Sequence, residues 1–142
     1  MKNLILSLLV FSVFNALAQP SAKNTPYFSE KNISIYVSLE NCINQAKGTA
    51  KQYVLIQIVN TSSSEVAVSF DKEIWYDTIC QTCGSSSKEY KVNVVVPAHS
   101  SITGSCDNND SGLRIFSKML NLDKVRKLTK YELKNITIEN AQ

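Results

Sequence analysis

The sequence is poor in the groups that most catalytic sites require. Its 142 residues hold a single histidine, His99. A nucleophilic triad needs a base within hydrogen-bond reach of its nucleophile. His99 stands next to Pro97 in a polar turn (Pro97–Ser100), away from every cysteine, so it reads as an exposed turn residue, and a Cys–His protease is excluded. No pair of carboxylates stands out as an acid/base couple. Charge of one sign is also scarce: 15 basic against 12 acidic side chains give a formal charge of +3. So mild a balance argues against a nucleic-acid binder, which concentrates its basic groups on one face. There is no internal repeat and no low-complexity tract. Beyond the first 18 residues no run is apolar enough to cross a membrane.

The start of the chain is distinctive. Met1-Lys2-Asn3 is a short basic opening, Leu4 to Phe14 is an apolar run too short to span a bilayer, and Ala16-Leu17-Ala18 places small residues where signal peptidase reads them. This predicts a secretory signal peptide over 1–18, cut after Ala18. No cysteine stands at the cleavage position to carry a lipid anchor. The remaining 124 residues suit one domain with one core, with a formal charge of +2 once Lys2 is gone. Residues 19–31 begin polar, hold Pro20 and Pro26 and lack periodicity, which predicts a flexible lead-in to a single domain over 32–142.

Within that domain the dominant pattern is period two. Ile33 to Leu39 alternates cleanly. From Tyr53 to Phe70 the chain reads as an arm (52–60), a polar break at Asn60–Ser64 and a second arm (66–71), which predicts a half-buried antiparallel hairpin, with Val54, Ile56 and Ile58 on one face of the first arm and Val66, Val68 and Phe70 pointing one way on the second. Ile74-Trp75-Tyr76 extends the second arm. Further strands are expected over 89–96, 101–106, 113–119 and 130–139, the last with a bulge at Lys134-Asn135 where its inward parity slips. Loops are expected over 40–50 and 77–87. Leu122, Val125 and Leu128 fall at helical spacing, which predicts a short helical turn over 121–128.

About seven short strands with turn signals between them and no long helix predict an all-β, antiparallel β-sandwich. The segments V-L-I-Q-I-V-N-T-S-S-S-E-V-A-V-S-F and V-V-V-P-A-H-S-S-I-T-G resemble the broad class of small exported bacterial immunoglobulin-like domains. The resemblance covers about 80 residues and implies architecture rather than activity. It lacks the tryptophan between two inter-sheet cysteines, since Trp75 lies near a strand end and no cysteine is expected in mid-strand.

If consecutive strands reverse direction, Cys42, Cys80, Cys83 and Cys106 all converge on one pole. Two disulfides there are the preferred reading, because export supplies an oxidising compartment and the count is even. Of the three pairings, closure of Cys80-Gln81-Thr82-Cys83 with Cys42 joined to Cys106 is preferred, and spacing alone leaves the cross-pairings open. An all-thiolate zinc site would use the same four residues, but a second C-x-x-C knuckle is missing. Thiol–disulfide exchange at Cys80/Cys83 would want a helix opening after the motif to lower the thiol pKa, and G-S-S-S-K-E-Y-K-V-N-V offers loop and then strand.

Three weaker signals remain. Asp107-Asn108-Asn109-Asp110-Ser111-Gly112 begins like a calcium loop, but Lys118 stands where the bidentate carboxylate belongs, so a plain polar loop is expected. Asp71, Glu73 and Asp77 lie beside Trp75 and Tyr76, in the manner of either a groove or a solvated edge. Lys124, Arg126, Lys127, Lys130 and Lys134 make the C-terminal region basic, suited to an acidic protein, an anionic envelope component such as lipopolysaccharide, or plain edge protection. Asn32, Asn60 and Asn135 sit in N-x-S/T triplets. These features together predict a non-enzymatic exported binding or accessory domain, periplasmic or secreted, with an inhibitor or immunity protein as a narrower form. It carries no cofactor or metal, and Trp75, Tyr76, Lys124, Arg126, Lys127 and Lys130 are its expected partner surface. The opposing class is a thiol–disulfide or metal-binding protein using Cys80 and Cys83.

Overall fold

A computed structural model describes residues 25–85, 87–107 and 111–141; the expected signal peptide over 1–18 lies outside the described residues. The described chain is all β. Its strands are β1 Phe28–Glu30, β2 Ile33–Asn44, β3 Thr49–Asn60, β4 Val66–Tyr76, β5 Ile79–Cys80, β6 Lys91–Val96, β7 Ser100–Thr103, β8 Arg114–Met119 and β9 Leu128–Asn140, with one 3-10 turn at Lys88–Tyr90. Every pairing is antiparallel. One sheet runs β1-β2-β3, with β7 and β8 sharing the far edge of β3. In the other, β4 is central: Val66 pairs with both Val96 and Asn140, and Trp75 with both Cys80 and Lys130, so β9 lies on one edge and β6 followed by β5 on the other.

The alternation explains the core. Ile33 and Ile35 of β2 and Val54, Ile56 and Ile58 of β3 meet Val66, Val68, Phe70 and Ile74 of β4 and Val92 and Val96 of β6 in one buried cluster. Each of the two sheets therefore buries one face against the other and leaves its second face to water.

The expected hairpin between 52–60 and 66–71 does not form. β3 and β4 belong to different sheets, and the Asn60–Ser64 segment crosses between them. Alternation specifies which face of a strand is buried, not which strand lies beside it. Pairing the arms edge to edge would have put both apolar faces on one side of one sheet, in need of a cover. Arching over places each against the other. Asn60 holds the arch: its buried amide donates to Ser64 O (2.8 Å), Val96 O (3.1 Å) and Pro97 O (3.1 Å), while its Oδ1 accepts from Ser62 N (2.9 Å) and Ser62 Oγ (2.7 Å).

The actual hairpin is β2–β3, in register from Ile33↔Asn60 to Asn44↔Thr49. The expected loop over 40–50 is mostly strand. Its polar side chains are exposed, and the ladder satisfies its backbone. Only Gln45–Gly48 turns, with Gly48 at φ +60 and Lys47 N donating to Asn44 Oδ1 (3.0 Å). Two other expectations also change. Phe28–Glu30, within the expected flexible lead-in, is strand β1, and Tyr27 before it accepts a hydrogen bond from Leu133 N (3.0 Å) on its hydroxyl. Residues 121–127 form an irregular turn instead of a helix, because Leu122 is 51% exposed and the spaced leucines share no buried face. The β9 bulge is present: Asn135 and Ile136 together oppose Phe70, one residue beyond the expected Lys134-Asn135 position.

Candidate functional site

Strand direction places both disulfides at the end of the molecule where β2–β3 turns and β4 finishes. Cys42 lies in β2 opposite Lys51, not in a loop, and joins Cys106 with a Cα–Cα distance of 5.5 Å. Cys80, at the end of β5, joins Cys83 at 5.7 Å. With all four sulfurs paired, no thiolate remains for a metal, and no cluster of three or more metal-ligating side chains occurs among the described residues. His99 sits at the opposite end, where its N–H donates to Ser62 O (3.0 Å).

The disulfide end is unusual in what it exposes. Leu39 (58%), Ile43 (67%), Ile79 (65%), Leu120 (37%) and Leu122 (51%) all belong to it. Three of them share one sheet face. Ile43 pairs with Ala50, Ala50 O accepts from Leu120 N (2.8 Å), and Leu39 pairs with Val54. That is the face which, further along the sheet, is covered by β4. Val54, opposite Leu39, is still covered (4% exposed), so it is the β2 side of this face, beyond its pairing with β1, that is left open, and there the apolar side chains meet water. On the other face of the same sheet, where Cys42 pairs with Lys51, lies a shallow cleft of about 350 Å³ lined by Lys47, Lys51, Tyr53, Cys106 and Arg114 and reaching Ile43 at the turn. Arg114 stacks 4.8 Å from the Tyr53 ring and donates from Nη1 to Ser105 O (3.1 Å) and Cys106 O (2.8 Å), which ties the Cys106 loop to β8.

The expected partner surface is divided by β4's pleat. Trp75 lies on the outer face, with Lys130 Nζ 4.4 Å from its ring centre. Tyr76 turns inward, where its hydroxyl donates to Phe116 O (2.7 Å) and burial pushes its pKa up to about 12, with Tyr90 and Tyr53 adding to the shift. Arg126 donates to Gln81 Oε1 (3.2 Å), the Lys127 N–H donates to Asp77 Oδ1 (3.1 Å) while its carbonyl accepts from Asp77 N (3.0 Å), and Lys124 is exposed. Lys130 and Lys134 both bind Glu132, whose carboxyl these two hydrogen bonds hold down at about 2. Of the acidic trio, Asp71 accepts from Asn135 Nδ2 (2.8 Å), Glu73 pairs with Glu132 across the sheet, and Asp77 occupies the β4–β5 turn.

Sequence reasoning passed over Lys72. It occupies the inward parity of β4 between Phe70 and Ile74 and is only 4% exposed. Its Nζ donates to Gly112 O (2.8 Å), so the protein's own ammonium sits at the sixth residue of the loop that resembled a calcium site. Asn108 to Asp110 of that loop lie outside the described residues. The signal was present: a strand alternating 66, 68, 70, 72, 74 inward must turn its lysine into the core.

Compared with family models, curated proteins and solved structures, the chain has no match.

Proposed function

We propose that the chain is a non-enzymatic exported binding or accessory domain that docks on a partner protein through its disulfide end. One observation carries this reading: the uncovered row Leu39, Ile43 and Leu120, on a sheet overhang tied down by Cys42–Cys106. Apolar side chains grouped on one surface and rimmed by polar ones mark interaction sites, whereas scattered ones do not. Lys51 and Arg114 pair with Cys42 and Leu55 and so stand on the opposite face of the sheet, which leaves the row itself apolar and fits an apolar patch on the partner. Export is part of the proposal and rests on the signal-like residues 1–18 and on disulfides, which persist in oxidising compartments. So does the immunoglobulin-like reading, supported by two antiparallel sheets around one core. A small inhibitor or immunity protein is the narrower form.

The test is capture of partners from the native exported fraction with the mature chain. The double variant Ile43→Glu/Leu120→Glu is compared with Val95→Glu, which alters an exposed valine (46%) on β6 in the other sheet. The double variant is expected to lose the captured protein, and Val95→Glu to retain it. Equal capture by all three would overturn the assignment of the surface.

A further inference from the structure

The Cys80–Cys83 disulfide does a different job from Cys42–Cys106. Its ring spans three residue steps, against 64 for the other, so it restricts the unfolded chain much less. Cys83 is exposed and Cys80 is half-buried. The backbone N–H of Cys83 donates to Cys80 Sγ at 3.0 Å. No helix opens at this motif, yet one amide is already aimed at one sulfur, where it favours negative charge. Arg126 holds a guanidinium over the same loop through Gln81 Oε1.

We propose that Cys83 is a site of reversible thiolation by a low-molecular-weight thiol. The attacking thiolate forms a bond to the exposed Cys83 Sγ. The Sγ–Sγ bond breaks, and its electron pair leaves on Cys80, where the Cys83 N–H stabilises it. One disulfide replaces another, so no external oxidant or reductant is consumed. Return of the Cys80 thiolate onto Cys83 reverses the step.

The ring also carries a structural load that such opening would release. β6 leaves β4 after Asp71, and β5 joins it only at Trp75. Between them the loop stands in for a strand. Thr82 Oγ1 accepts from Ile74 N (2.9 Å) and donates to Lys72 O (2.8 Å), while Gln81 N donates to Ile74 O (2.8 Å). Thr82, the residue between the cysteines, is 5% exposed. Thiolation of Cys83 therefore frees Thr82 and uncovers the β4 edge from Lys72 to Ile74.

The probe is glutathione, applied in excess to the folded, disulfide-bonded mature chain without denaturant, followed by alkylation and peptide-level mass mapping. The expected product carries one glutathionyl group on Cys83, an alkylated Cys80 and an intact Cys42–Cys106 bond. Amide exchange at Ile74 and Gln81 rises by about tenfold, the effect of losing one hydrogen bond, while Ile58 in β3 stays protected. Thr82→Val is expected to speed thiolation by a similar factor. An adduct on Cys80, an adduct first on Cys42 or Cys106, or no adduct while Ile58 remains protected would each overturn the proposal. An unchanged rate in Thr82→Val would overturn the link to β4.

Discussion

Lys72 and Tyr76 stand on the same strand, both turned inward, and burial disfavours the charged form of each. Desolvation holds the Lys72 pKa below its ordinary 10.5, with Glu89 acting against it. The unfolded chain thus binds more protons at this site, so stability rises with pH as it climbs from the lowered folded value toward 10.5. Replacing Lys72 by methionine keeps the volume and removes the buried charge. It is expected to raise urea-unfolding stability at neutral pH by about 1 kcal/mol and to flatten that alkaline rise. Tyr76 has the opposite sign. Its hydroxyl is raised from 10.0 to about 12, so the contribution is complete below pH 10 and is lost as pH rises toward 12. Tyr76→Phe deletes the bond to Phe116 O, costs about 1 kcal/mol at neutral pH, and removes that part of the alkaline loss, as chemical denaturation at a series of pH values would show.

Two junctions decide how the strands assemble. Along the far edge of β3, Ile56 is shared: its N–H donates to Leu113 O (3.0 Å), and its carbonyl accepts from Gly104 N (2.9 Å). The ends of β7 and β8 therefore meet at one residue. A Cβ built on Gly104 would lie 1.9 Å from Leu113 O, which is backbone and cannot swing aside. Gly104→Ala is expected to cost about 3 kcal/mol in thermal or urea unfolding. The β4–β5 turn stores strain instead. Asp77 (φ 48) and Thr78 (φ 72) are both left-handed, as a two-residue hairpin turn requires, and a β-branched residue fits there poorly. The turn is pinned by Thr78 N donating to Thr129 Oγ1 (3.1 Å) and by the Asp77–Lys127 bonds. Thr78→Gly keeps the bond and relieves the strain, so the melting temperature is expected to rise, by about 1 kcal/mol in stability.

For the molecule as a whole, the long disulfide is the main covalent restraint. Cys42–Cys106 closes a loop of 64 residue steps, worth about 4 kcal/mol in the chain-entropy account, against about 2 kcal/mol for the Cys80–Cys83 ring. The double replacement Cys42→Ala/Cys106→Ala is accordingly expected to lose roughly twice as much stability as Cys80→Ala/Cys83→Ala when both are unfolded in urea. It also frees the Cys106 loop from the overhang that bears Ile43, so partner capture should fall together with stability. Edge protection acts at the same scale. β9 pairs on one side only, and its open edge carries the Lys130–Glu132–Lys134 ladder, the Asn135 bulge and the Tyr27 cap.

The sequence by itself determined the strands and their buried faces, because period-two alternation of Val, Ile and Phe is local and has one physical meaning. It placed the bulge near Asn135 and led to the same end for all four cysteines, since strand reversal needs only a count. It did not reveal that β3 arches over to β4 instead of pairing with it, nor that β2 continues through Glu40–Asn44. Both depend on what lies beside a strand, and side-chain periodicity carries nothing about lateral neighbours. Lys72 was overlooked because its residue type outweighed its parity. The overhang could not be read at all: Leu39 and Ile43 look like core in sequence, and only the way the second sheet lies across the first, over β3 and short of this part of β2, leaves them in water.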